Sequence, residues 1–228
     1  MRRRHFSAVL PVFTFPLMAR AGSWGGVSEL DAGQGLRTAL ERGAVSAVQA
    51  LGRPDGFLAN PQVHIPLPKA LHDASHVLGA LGLRRQLEEL ELAMNRAAEA
   101  AVPQAKALLA DAVRHIGIED ARRIIAGSET SVTEFFADKT RQPLTVTFMP
   151  AVHQATAKVG VVEKYDHLAQ KAQAMGLYRP EDPSVDHYVT RKALDGLYFM
   201  IGEEEKKIRR DPVGTGSALL ARVFGGTR

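Results

Sequence analysis

Apolar side chains recur at three- and four-residue steps along most of the chain, and this spacing predicts helices in series. Leu36, Leu40, Ala44, Ala47, Val48 and Leu51 line one face of a first helix that ends near Gly52. Leu71, Ser75, Leu78 and Leu81 give a short second helix, stopped by Gly82. Leu83, Leu87, Leu90, Met94, Ala97, Ala98 and Ala101 mark a longer third, whose small residues permit close helix approach. Pro103 has no N–H to donate and predicts a kink or a new start, after which Leu108, Leu109, Ala112, Val113 and Ile116 continue the stripe.

Further on, a short helix is expected from Ile118 to Ala126, closed by Gly127 in a left-handed cap. Ser131 and Glu134 then read as a capping box ahead of Phe135 and Phe136. A separate helix is expected from Pro143 to Val159, kinked at Pro150, with Leu144, Phe148, Val152 and Ala155 inward, and another from Val162 to Ala174. Gly176 to Pro183 reads as a turn, and Ser184 caps a long helix running to about Arg210. Its inward positions are Val185, Tyr188, Val189, Leu194, Leu197, Ile201 and Ile208, and a last short helix holds Leu219, Leu220, Val223 and Phe224. Period-two alternation is confined to Gln62–Ile65 and Leu144–Phe148, so the predicted class is all-α: a bundle-like single domain over residues 22–228.

One stretch departs from the pattern. Gly52 to Lys69 carries four prolines in eighteen residues between the first two helices, with Phe57, Leu58, Val63, Ile65 and Leu67 offering apolar surface. Flexible linkers are polar, so this segment reads either as a stiff structural strap or as an exposed docking site. Asp55-Gly56 and Asn60-Pro61 suit turns, and Val63 and Ile65 are expected to be buried with His64 facing the other way. Pro68 falls near the first turn of the second helix.

The amino terminus changes the reading of charge. Residues 1–21 combine a basic start, a short apolar run from Ala8 to Met18 and the triplet Ala19-Arg20-Ala21, the pattern of a cleavable export signal. The apolar run is far below the roughly 20 residues that span a bilayer, so no transmembrane segment is expected in the mature chain. Arg3-Arg4-His5-Phe6 also fits a twin-arginine signal, and both export routes stay open. The precursor carries a formal charge of +4. Cleavage after Ala21 removes Arg2, Arg3, Arg4 and Arg20 from 29 basic residues, leaving 25 against 25 acidic ones. A neutral mature chain gives no reason to expect a nucleic-acid partner.

Candidate chemistry is sparse. The chain has no cysteine, which removes thiolate catalysis, thiolate metal sites and disulfides. Serine-hydrolase elbows, phosphate-binding loops and His-Glu-x-x-His are absent, and no cofactor is implied. His72 and His76 stand four apart without a third ligand at a defined spacing, so no metal site is assigned. Asn95, Arg96 and Glu99 place polar groups in the smallest-residue part of the third helix, which suits either a local ion pair or the polar floor of a pocket. Phe57, Asn60 and His64 on the Pro-rich stretch complete the ligand- or partner-binding candidates. No catalytic residue is assigned; a Glu99–Asp195 carboxylate pair is the weakest alternative. Glu203-Glu-Glu-Lys-Lys207 reads as a solvated face with Glu203–Lys207 and Glu205–Arg209 pairs.

Several longer segments occur in a fixed order: Pro54-Asp-Gly-Phe57, Asn60-Pro-x-Val-x-Ile-Pro-Leu-Pro68, Met94-Asn-Arg-Ala-Ala-Glu-Ala-Ala-Val-Pro103, Asp120-Ala, Tyr188-Val-Thr-x-Lys-Ala-Leu-Asp-Gly-Leu197 and Glu203-Glu-Glu-Lys. Together they resemble the bacterial domain-of-unknown-function family 4197 over about Leu30 to Gly225. The resemblance implies an exported, largely helical protein of Gram-negative bacteria, and it brings no activity or catalytic residues. Gly202 stands where alanine is expected, and Phe135 where tyrosine is expected. The function expected is that of a periplasmic, non-catalytic interaction or structural protein. The alternative is a carrier for an apolar small molecule such as a lipid or quinone.

Overall fold

A computed structural model describes residues 27–226, and residues 1–21, expected to be an export signal, lie outside them. Within the described residues the chain forms eight helices and no strand: α1 (Glu29–Leu51), α2 (Lys69–Ala80), α3 (Arg84–His115), α4 (Ala121–Ile125), α5 (Ser131–Lys158), α6 (Val161–Ala174), α7 (Val185–Arg210) and α8 (Ala218–Gly225). The four long helices form a ring in which α1 packs on α3 and α7, and α5 on the same two. Helices α2 and α6 pack on one another and on α3, while α4 and α8 both pack on α1. No helix among the described residues is long and apolar enough to cross a membrane.

The inward stripes of α1 and α7 are buried as the periodicity predicts, and Ser184 caps α7 by accepting from the His187 N–H. Gly43 lets α1 approach α7 closely, since a Cβ there would stand 2.9 Å from Ile201 Cγ2. The short second helix ends one residue early, leaving Leu81 exposed beyond it.

Neither a new helix after Pro103 nor a separate one from Pro143 occurs. Pro103 lies inside a continuous α3, and Pro143 and Pro150 inside a continuous α5. A helix-interior proline costs about 3 kcal/mol. Around Pro103 that cost is offset by a run of wholly or almost wholly buried side chains on both sides, Ala97, Ala98, Ala101, Val102 and Ala105. Phe136 and Leu144 bracket Pro143 in the same way, so breaking either helix would expose core.

The region between α3 and α5 also differs from expectation. The short helix is only Ala121–Ile125, and the left-handed residue is Asp120, at φ 59°, on its N-terminal side. Gly127 is not left-handed; a Cβ there would stand 2.7 Å from Ser131 Cβ, so close approach is what requires glycine. The capping box is replaced. Thr130 precedes α5 and donates to Glu134, while Ser131 donates to the carbonyl of Ile124. The free N–H groups of Val132 and Thr133 are satisfied by Glu205 of α7.

The Pro-rich stretch is a buried strap. Phe57 and Ile65 are fully buried and Val63 and Leu67 nearly so, as expected for a structural segment. It forms no strand: its first turn puts Asp55 at φ 65°, and the second is closed by Val63 and His64 N–H groups donating to the Asn60 carbonyl. The strap lies against α7 at Gly196, where a Cβ would stand 2.7 Å from the Phe57 ring.

Gly196→Ala is therefore expected to destabilise the protein by about 1–3 kcal/mol through overpacking against a ring with no space to move. Gly202→Ala is the contrast: its Cβ would meet the half-buried Thr130 methyl at 3.3 Å and the Thr133 methyl at an ordinary 3.8 Å. Helix propensity then dominates, and stability is expected to rise by less than about 1 kcal/mol. Urea unfolding of both variants checks the pair.

Candidate functional site

A strap without helix or sheet leaves its backbone groups to find partners elsewhere, because a buried, unpaired N–H or C=O is costly. Helix α3 supplies them. Asn95 is fully buried and treats Ile65 as a neighbouring strand would, accepting its N–H at 2.9 Å and donating to its carbonyl at 2.8 Å. The second proton of the Asn95 amide goes to the Glu91 carbonyl. One turn further, Glu99 is 5% exposed and accepts the consecutive N–H groups of Phe57 and Leu58, both at 3.0 Å.

The other Glu99 oxygen accepts from Arg96 at 2.7 Å, and the second arm of that guanidinium reaches Asp55 at 2.8 Å. Both carboxylates raise the Arg96 pKa above its ordinary value, Glu99 more than Asp55. His64 stands 3.3 Å from Glu91 and 3.5 Å from the Asn95 amide. Five of the six candidates thus converge on one face of α3. Asn60 instead serves the strap's own turn, accepting from the Gln62 N–H.

This cluster resolves the choice between an ion pair and a pocket floor. Its polar groups are committed to one another and to the strap backbone. Asp195 is held by Arg141, and no hydrogen bond or ion pair joins it to Glu99. His72 and His76 are exposed, and no group of three metal-ligating side chains occurs among the described residues.

A second cluster escaped the sequence reading. Glu205 is buried rather than solvated, and it accepts from the N–H groups of Val132 and Thr133 and from the Thr133 hydroxyl. Arg209 completes it with two bonds to Glu205, at 2.9 and 2.7 Å, and others to the Ile125 carbonyl and Ser131. The four-residue spacing showed the pair but not its burial. Glu203 pairs with Lys206 rather than Lys207, and Glu204 with Lys207 and Arg42.

At the other end of the strap, Tyr188 donates to the Pro66 carbonyl at 2.9 Å, and Asp182 holds Arg191 through two bonds and His187 through one. Arg191 above all, with His187, keeps the Asp182 carboxyl below its ordinary range although burial acts the other way. Burial pushes the Tyr188 phenol up to about 12.

A groove of about 730 Å3 lies elsewhere, between the C-terminal half of α3, the loop before α4, and α5. Its lining is mixed: Leu108, Ile116, Phe135 and Leu144 are apolar, while Asp111, Glu119, Asp120, Arg123 and Lys139 bring charge. None of the six candidates lines it, although Phe135 stands where tyrosine is expected from the family pattern.

Fold and clusters together define a helical protein organised around a buried proline-rich strap. The chain belongs to the DUF4197 family, described as proteins of unknown function, whose model matches residues 26–225. No curated protein and no solved structure matches it significantly.

Glu99→Ala leaves two strap N–H groups without acceptors and is expected to cost about 3 kcal/mol in urea unfolding. Arg96→Ala should cost less, because this side chain is 36% exposed. Tyr188 gives a test by pH. Its folded pKa is raised, so its contribution is complete below the ordinary phenol pKa of about 10 and is lost as pH rises towards 12. Tyr188→Phe should flatten the alkaline limb of stability against pH and remove one late-titrating phenol from the ultraviolet titration.

Proposed function

We propose that the chain is an exported, periplasmic protein without catalytic activity that presents a stiff helical frame to a protein partner. The observation that carries this reading is the commitment of Asn95, Glu99 and Glu205 to the protein's own backbone. Carboxylates held in this way are poor general bases, because taking up a proton would break bonds that hold the strap and α5. The frame they create is rigid, which lowers the ordering cost of binding. On its surface, α5 carries Val146, 71% exposed and flanked by the groove residues Leu144 and Thr147.

The groove supports a second reading, an apolar small-molecule carrier, since about 730 Å3 lies within the usual range for ligand sites. Export rests on the pattern of residues 1–21.

A photo-crosslinking residue at position 146, expressed in the native host, is expected to give a discrete protein adduct in the periplasmic fraction. The mature mass should begin at Gly22. Absence of any reproducible adduct, with a lipid or quinone retained in native mass spectrometry, would transfer the conclusion to the carrier reading.

A further inference from the structure

A separate pocket of about 390 Å3 lies where the end of the strap and the start of α2 meet α7 and the turn before it. Pro66, Pro68 and Pro180 form walls that cannot rearrange cheaply, and the Tyr188 ring is fixed through its hydroxyl bond to the Pro66 carbonyl. The shape therefore exists before any ligand arrives.

Three cationic side chains line it, Lys69, Arg191 and Lys192. Lys69 has its carboxylate in Asp73, at 2.6 Å. Arg191 uses Nε and Nη2 on Asp182, at 3.2 and 2.8 Å, which leaves Nη1 without an acceptor. Lys192 is half-buried and has no hydrogen bond or ion pair among the described residues; its ammonium stands 6.0 Å from the Tyr188 ring centroid. The Arg191 guanidinium is 5.3 Å from the same centroid. Two cations thus approach one aromatic ring, and of the two only Arg191 is paired with a carboxylate.

The neighbouring acids do not cancel that surplus. Asp182 is held by Arg191, Asp195 is held by Arg141, and Glu91 lies outside the pocket lining. Glu181 lines the pocket but is exposed to water, which screens it. A lysine against a ring face gains less than a charge-assisted hydrogen bond provides. The start of α2, capped only by Pro68, adds a weaker effect of the same sign.

We propose that this pocket binds a small oxyanion, a carboxylate or a phosphate group, with Lys192 as its anchor and Arg191 Nη1 as the second donor. This site neither uses nor requires the protein-docking reading.

Nuclear magnetic resonance titration of the full mature chain, with inorganic phosphate and separately with benzoate at constant ionic strength, tests it. Saturable amide shifts are expected at residues 66–70 and 188–192. Lys192→Met should weaken the bound anion by about tenfold or more, as expected for loss of a hydrogen bond to a charged group. Lys192→Arg should restore most of the affinity, with both variants melting as the parent does. Saturation by phosphate alone marks a phosphoryl group as the ligand, and saturation by benzoate marks an organic carboxylate that also uses the proline and tyrosine walls. No saturable shift with either anion, or unchanged binding in Lys192→Met, overturns the assignment.

Discussion

The fold depends on satisfying the backbone of a segment that has no secondary structure to do it. Phe57 and Ile65 must leave water to complete the core, and their N–H groups leave with them. Four prolines deny the segment a helix, and no strand lies beside it. Two polar side chains one turn apart on α3 remove the conflict: the Asn95 amide pairs with both backbone groups of Ile65, and the Glu99 carboxylate takes two successive N–H groups. Without them, burial of the strap would leave donors unpaired at about 1–3 kcal/mol each.

The same solution recurs at the start of α5. Four N–H groups at a helix start lack intrahelical partners, and at α5 two of them are answered by Glu205 from α7. In both clusters one carboxylate oxygen or the pair accepts consecutive N–H groups while an arginine on the same helix, three or four residues away, balances the charge. A buried carboxylate is costly to desolvate, and several hydrogen bonds with an adjacent cation are what make it tolerable. Each cluster also ties distant parts of the chain: α3 to the strap, and α7 to α5 and the end of α4. Polar groups placed inside the molecule thus fix how the apolar faces meet.

Helix existence was legible because the apolar stripes of α1, α3 and α7 persist over many turns, and periodicity reports burial directly. Breaks were less legible. Pro103 and Pro143 are strong local signals, but the side chains around them are core, and tertiary burial outweighs the lost bond. Burial of Val63 and Ile65 could be read from composition, whereas their partners could not. Asn95 and Glu99 stood out as polar residues among alanines, yet an ion pair and a pocket floor have the same local pattern; only the position of the strap distinguishes them. Glu205 failed for a related reason. Three adjacent glutamates splay around a helix, and which one faces inward depends on where α5 begins.

What remains for recognition is then local. With the proposed cleavage after Ala21, the 25 basic and 25 acidic side chains would balance, and long-range steering of a charged partner would contribute little. Several surface charges are also paired within one helix turn, as in Arg84–Glu88 and Arg85–Glu89, and such exposed pairs present a weak net field. Against that background an unpaired, half-buried Lys192 beside a fixed aromatic ring differs in kind. The α3–α5 groove is different again, wider and with a mixed apolar and charged lining. The two share no lining residue, so occupancy of one can be measured while the other is altered. With Asn95, Glu99 and Glu205 committed to the protein's own backbone, surface features such as these are where side chains stay available to another molecule.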